Sequence, residues 1–209
     1  MTTLPPLVGL IGKKRVGKDT FAATLVEEFG FARVAFADPL KDMALTIDPI
    51  IQPGDEFRLA EGLRELVEDE GWEVVKDAHP EARRFLQRLG DGVRQFDPEF
   101  WLRAGMARAD DMRAGLGATP SGDWDPEFRP VVITDVRYPN EAAAIRVAGG
   151  ILVRIVRPGV DDGDTHASET ALDDYDADLT VNNAGSLVWF QDQARRAGAG
   201  SWAPDWPAH

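Results

Sequence analysis

Nine residues near the amino end, Gly12-Lys13-Lys14-Arg15-Val16-Gly17-Lys18-Asp19-Thr20, leave this chain few ways to fold. Ahead of them runs Leu7-Val8-Gly9-Leu10-Ile11, an apolar stretch of strand length. Behind them Phe21, Leu25 and Phe29 recur at helical spacing until Gly30 supplies a stop. A strand therefore turns into a helix through a glycine-bounded loop. Gly12 and Gly17 bracket four residues and Lys18 follows, the spacing of a phosphate cradle.

The spacing has a physical basis. A polyphosphate needs several backbone N–H groups pointing into one concavity, and glycines let the chain curl tightly enough. The helix N-terminus adds partial positive charge. Gly12, Lys14, Arg15, Val16, Gly17, Lys18, Asp19 and Thr20 form the candidate triphosphate site, with Lys18 reaching the outer phosphates. The usual motif places Ser or Thr directly after the lysine as a magnesium ligand. Here Asp19 stands there with Thr20 next, so either side chain is a candidate for the metal. Phosphate binding without catalysis is the plainer alternative.

The length of 209 residues suits one α/β domain with an inserted subdomain, and 44% hydrophobic residues suffice for a packed core. There is no cysteine, so neither a disulfide framework nor a thiolate metal site can form. No stretch is long and apolar enough to span a membrane, and no signal-peptide pattern opens the chain. The expectation is a soluble, cytoplasmic protein with no membrane partner. A net charge of −13 argues against a nucleic acid polymer as partner, because such binding rests on Lys and Arg neutralising phosphates. Yet Arg83, Arg84, Arg88 and Arg94 crowd one stretch and Lys13, Lys14, Arg15 and Lys18 another. Two basic clusters in an acidic chain suit a small anionic ligand. Pairing with nearby Asp and Glu on solvated helix faces is the bland reading of several of these arginines.

Along the chain, Val34-Ala35-Phe36 reads as a short strand, with Asp38 as cap and Pro39 as first residue of a helix. Asp38 and Lys41 would then lie where open α/β sheets bind ligands. Capping alone explains Asp38 equally well. Leu59, Leu63, Leu66 and Val67 make a helical stripe, and residues 71–80 read as a connection. Phe85, Leu89, Val93 and Phe96 give residues 81–96 one apolar helix face, leaving Arg84, Gln87, Arg88 and Arg94 largely off it. Asp97 and Pro98 open another helix, with Phe100, Trp101, Ala104 and Ala107 available to pack. Residues 115–130 read as loop. Val131–Thr134, Ile151–Val156 and Leu179–Val181 are strand runs, and Leu187, Val188, Phe190 and Ala194 mark a final helix. Five strands alternating with helices predict an α/β fold: a parallel sheet covered on both faces. The core comprises residues 1–37 and 131–209, with a helical insert 38–114 between its strands.

Asp135 ends an apolar strand, where a carboxylate can act through magnesium or on a substrate group; a simple turn cap is the alternative. Arg137, Arg84, Arg88 and Arg94 are candidates for a substrate phosphate, since guanidinium groups grip phosphate bidentately. Transfer between two phosphates needs cations to hold donor and acceptor in line. An acceptor phosphate needs little help from a general base, so the lack of an obvious His–Asp pair is no objection.

These residues together resemble the deoxynucleoside monophosphate kinases of tailed bacteriophages, within the nucleoside-monophosphate-kinase-like P-loop NTPase proteins. Gly12–Thr20 is similar to that family's loop, including the Asp before the Thr. Phe36–Lys41 resembles its junction with the substrate helix, and Arg84–Gly90 with Phe100-Trp101 its monophosphate-binding insert. Asp135–Glu141 resembles the segment after its third strand, Thr165–Glu169 its lid, and Val181–Ser186 the loop against the donor base. The likeness runs from about Leu7 to Ala194. It implies ATP with Mg2+ as donor, a deoxynucleoside monophosphate as acceptor, and a lid of about residues 158–172 closing over both; it admits a homodimer. It implies that Lys18, Asp135 and Arg137 are catalytic and that Asn182 and Asn183 lie at the ATP. Asp38, Lys41, Arg84, Gln87, Arg88, Arg94, Trp101 and Glu141 fall to the acceptor, and Arg157, His166, Ser168 and Glu169 to the lid. Adenylate kinases bring several arginines to the lid, whereas residues 160–172 carry none, so Arg154 and Arg157 on the preceding strand stand as substitutes.

Other acceptors remain open at this level: a phosphomevalonate-like or dephospho-coenzyme A-like molecule, or no acceptor at all in a nucleotide-dependent switch. No Asn-Lys-x-Asp guanine reader occurs. Trp101 and Phe100 either stack on a base or pack between helices.

Overall fold

A computed structural model describes residues 6–54, 56, 59–115, 129–160 and 170–200. The expected loop over 116–128 and the Trp/Pro-rich tail from 201 lie outside these. The chain divides into two compact units, Met1–Ala35 with Met106–His209, and Phe36–Gly105.

The first unit is built on a parallel sheet of five strands: β1 (Leu7–Ile11), β2 (Ala32–Val34), β5 (Val131–Ile133), β6 (Ile151–Val156) and β7 (Leu179–Asn182), in spatial order β2-β5-β1-β6-β7. β1 is central and buried along its whole length, which is why it reads as an unbroken apolar run. Alternate residues face opposite sides. Val8 and Leu10 join Val153, Ile155 and Val181 in a cluster with Phe21 and Leu25 of α1 (Lys18–Phe29) and Phe190, Ala194 and Ala197 of α8 (Leu187–Gly198). Gly9 faces the other side. A β-carbon there would lie 2.7 Å from Ile145 of α7 (Pro139–Val147), so the missing side chain lets that helix approach β1. The expected five parallel strands with helices on both faces are present.

The second unit contains α2 (Asp38–Ile47), β3 (Ile50–Gln52), β4 (Glu61–Gly62), α3 (Leu63–Glu70), α4 (Trp72–Ala78), α5 (Pro80–Phe96) and the start of α6 (Phe100–Arg113). Its core gathers Ala44, Ile51, Leu63, Leu66, Val75 and Ala82, with Trp72, Phe85 and Leu89 packed against them.

Several boundaries differ from expectation. β2 lies two residues earlier than Val34–Phe36, because its ladder with β5 closes where Thr134 N–H donates to the Val34 carbonyl at 3.1 Å. Ala37, not Asp38, caps α2: the first helical bond runs from Lys41 N–H to the Ala37 carbonyl at 3.0 Å, leaving Asp38 in the first turn. Residues 72–78 form a helix rather than a connection, since Val75 finds a buried place in the insert core. β3 and β4 pair antiparallel, a hairpin absent from the apolar pattern. Leu59 and Phe96 are 90% and 93% exposed and leave their predicted stripes, and Ala107 lies on the exposed side of α6.

Candidate active site

The loop after β1 curls through three residues of positive φ. Gly12 takes φ +142°, Arg15 +65° and Gly17 +110°. A β-carbon on Gly12 would lie 2.3 Å from the backbone oxygen of Ile155, so only glycine fits there. Val16, 3% exposed, belongs to the core cluster that also holds Phe190. Its side chain anchors a loop that is otherwise at the surface. Helix α1 starts at Lys18, directly after Gly17, and no side chain caps it. The N–H groups of its first turn therefore open onto the loop. The Lys18 ammonium donates to the carbonyls of Gly12 at 2.6 Å and Lys13 at 2.7 Å. It thereby ties the N-terminal end of α1 back to the start of the loop.

Beside the loop is a cleft of about 400 Å³, lined by Gly12, Lys13 and Val16 and by Arg137, Arg154 and Arg157. Among the described residues its lining holds four cationic residues against one acidic residue, Asp173. In a chain of net charge −13, that local excess marks a place for an anion. The three arginines differ in setting. Arg154 is half-buried and donates to the carbonyls of Leu172 at 2.8 Å and Tyr175 at 2.5 Å. It is a brace between β6 and the segment that follows residue 169. Arg137 and Arg157 are exposed at the cleft.

Asp135 lies two residues beyond the Gly9–Ile133 pairing of β1 and β5, at the sheet edge where Gly12 starts the loop. Glu141 is 7% exposed, and its Oε2 accepts from the amides of Arg137 at 2.7 Å and Tyr138 at 3.1 Å. Its carboxylate thereby shapes the turn carrying Arg137. Asp19 is exposed, with Oδ1 3.9 Å from an Arg33 guanidinium nitrogen, whereas Thr20 is half-buried in the first turn of α1. Among the described residues no group of three or more His, Cys, Asp and Glu could hold a metal by itself.

The family profile described as deoxynucleotide monophosphate kinase matches residues 73–193, from α4 through the first half of α8. The chain belongs to that family. An Acanthamoeba polyphaga mimivirus protein assigned provisionally to deoxynucleotide monophosphate kinases is 32% identical over 203 residues, covering 90% of this chain and 93% of its own. The deoxynucleotide monophosphate kinase of Enterobacteria phage T4 is 24% identical, covering 87% and 93%. That of Escherichia phage RB69 is 30% identical over 107 residues, 50% of this chain and 39% of its own. This deoxynucleotide monophosphate kinase family member is accordingly a kinase, with a nucleotide substrate.

Of the acceptor residues expected in the family's insert, Arg84 and Gln87 line a small cavity of about 190 Å³ with Lys76 and Arg83. The cations there carry partners: Arg84 lies 2.9 Å from Glu81, Arg83 2.9 Å from Asp77 and Lys76 2.6 Å from Glu73. The Lys76 ammonium, through its hydrogen bond, lowers the Glu73 pKa. Arg88 is exposed on α5, and Arg94 lies 3.4 Å from Asp91. Lys41 places its ammonium 5.7 Å from the centroid of Trp72. Trp101 is 4% exposed, and its indole N–H donates to the Gly90 carbonyl at 3.0 Å. Its ring is committed to packing and is not presented to a base. His166, Ser168 and Glu169 lie outside the described residues.

Asn183, expected at the nucleotide, holds the phosphate loop itself: its Nδ2 donates to the Val16 carbonyl at 2.9 Å. Asn182 is exposed beside it. No local pattern signals a bond across 167 positions. Among the described residues, no helix is long and apolar enough to cross a membrane.

Proposed function

We propose that the protein transfers the γ-phosphoryl group of ATP to a deoxynucleoside monophosphate, giving ADP and the diphosphate by direct in-line displacement. The observation that carries this reading is the cleft in which the glycine-bounded loop meets Arg137, Arg154 and Arg157. The loop binds the donor's phosphates through backbone N–H groups and the N-terminus of α1. Lys18 leaves its two carbonyls and follows the outer phosphates. Arg137 and Arg157 neutralise the charge on the transferred group and align it with the acceptor. Arg154, held by two carbonyls, keeps the wall of the cleft in place. Asn182 lies on the donor-base side.

The donor set suits Mg2+, which takes few protein oxygens beside water and phosphate. Thr20 and Asp135 would hold the ion, Asp135 directly or through water; Asp19, turned toward Arg33, is the weaker candidate. Held there, magnesium would supply positive charge that offsets the charge on the donor phosphates. The acceptor's phosphate is assigned to Arg84, Arg88 and Arg94, with Asp38, Lys41 and Gln87 as further contacts, on family membership and on guanidinium chemistry. An acceptor phosphate is largely ionised at neutral pH, so Asp135 need not act as its base.

The test is ADP release with ATP, Mg2+ and each of the four deoxynucleoside monophosphates in turn. At least one should raise ADP release well above the acceptor-free rate. Release that no deoxynucleoside monophosphate stimulates, or that only dephospho-coenzyme A or phosphomevalonate stimulates, would overturn the reading.

A further inference from the structure

The crest of the phosphate loop is held from the side of α8. Asn183 Nδ2 donates to the Val16 carbonyl at 2.9 Å. Asn183 is itself fixed, because its backbone N–H donates to the Val156 carbonyl at 2.7 Å and so extends the β6–β7 ladder by one residue. Gly17, at φ +110°, lies under the same group: a β-carbon there would fall 2.7 Å from Asn183 Nδ2 and 3.1 Å from the Phe190 ring. Phe190 in turn packs on Phe21 of α1, with ring centroids 5.9 Å apart.

The bond has a directional consequence. No described peptide is cis. In a trans peptide the carbonyl and the following N–H point in opposite directions across one rigid plane. Drawing the Val16 carbonyl toward Asn183 therefore turns the Gly17 N–H away from Asn183. Side-chain amides that fix a carbonyl in this manner contribute as any hydrogen bond does. This one also sets which way a cradle donor faces before any phosphate arrives.

We infer that Asn183 is a positioning residue for the phosphate cradle: it pre-orients the Val16–Gly17 peptide for triphosphate and does not read the donor base. This rests on the function proposed above, and the experiment separates the two. Inorganic tripolyphosphate with Mg2+ carries no base or sugar, so it probes the cradle alone. Its affinity, and those of ATP and GTP, are measured calorimetrically for the wild type, Asn183→Ala and Asn183→Asp. The Asp variant keeps the shape and loses the donor. Amide hydrogen exchange over residues 13–19 is followed in the ligand-free proteins.

Asn183→Ala should weaken tripolyphosphate, ATP and GTP by one common factor, about tenfold for one lost hydrogen bond, and Asn183→Asp by more, because its carboxylate also repels the phosphates. The ATP-to-GTP ratio should stay constant, and exchange over 13–19 should quicken. Unchanged tripolyphosphate affinity, or a shifted ATP-to-GTP ratio, would overturn the inference and place Asn183 against the nucleoside. Wild-type protein that does not bind tripolyphosphate would overturn the phosphate-loop reading itself. If Asn183→Ala does not fold, the exchange rates over 13–19 and the ATP-to-GTP ratio of Asn183→Asp decide the matter.

Discussion

Glu141 folds its carboxylate back onto the turn before its own helix, with Oε2 2.7 Å from the amide nitrogen of Arg137. The expected acceptor ligand is thus spent on backbone, and Arg137 is aimed at the cleft from a turn that a buried carboxylate holds. Removing a buried acceptor from two N–H groups costs roughly 2 kcal/mol. Glu141→Ala should lower thermal stability by about that amount and reduce kcat more than it raises the KM for ATP. Glu141→Gln, which keeps an acceptor oxygen, should recover most of both. Thermal melts and steady-state kinetics check this; an Ala variant with wild-type kcat would show that the turn does not aim Arg137.

Gly12 meets the Ile155 backbone, which cannot step aside as a side chain could. Gly12→Ala places a methyl group 2.3 Å from a carbonyl oxygen at φ +142°, a conformation costing of order 1–3 kcal/mol. Loss of triphosphate binding is expected, together with a lower melting temperature. Calorimetric titration with ATP reads the first and a thermal melt the second.

Trp101 is committed by its hydrogen bond to the Gly90 carbonyl and its edge-on contact with Phe100, at a centroid distance of 4.9 Å. Trp101→Phe should cost about 1 kcal/mol for the lost bond, measurable by urea unfolding. The acceptor KM should not change. A raised acceptor KM without loss of stability would return the ring to a stacking role.

The first and last helices of the core are tied by a two-pronged pair, Arg195 Nε to Glu28 Oε2 at 2.7 Å and Nη2 to Oε1 at 2.8 Å. The hydrogen bond from Arg195 lowers the Glu28 carboxyl below its usual 4.5, with desolvation opposing it and a smaller Coulombic attraction to the same guanidinium adding to it. A carboxyl lowered in the folded state contributes its stability above 4.5 and loses it as pH falls through the folded value. Glu28→Gln should therefore melt below the wild type at pH 7, and the gap should close in acid below 4.5. Melting curves from pH 3 to 7 test it; a gap independent of pH would contradict the pairing.

Much of the core was legible because its signals are local. The apolar run Leu7–Ile11, the paired glycines and the stripe of Phe21 and Leu25 lie within one short stretch, and the sheet forms around them. The hairpin was not legible: Ile50–Gln52 is too short to show alternation, and Pro53 and Gly54 read as mere interruption. α4 hid behind Gly71 and Pro80, which looked like the ends of a loop. At the site, the residue types near the loop foretold the cluster of Lys13, Arg137, Arg154 and Arg157 at the cleft. What could not be read was which side chains are spent on backbone. Arg154 on two carbonyls, Glu141 on two amides and Asn183 on Val16 depend on register between parallel strands and turns, and chain order does not encode that register.

The account stands on direct transfer of a phosphoryl group steadied by Lys18. The most direct measurement follows the label from ATP carrying radioactive γ-phosphate, with a deoxynucleoside monophosphate present, in the wild type and in Lys18→Ala. The wild type should place label on the deoxynucleoside diphosphate, and the folded variant should place essentially none there. Label appearing only as inorganic phosphate, or transfer by Lys18→Ala at the wild-type rate, would contradict the account.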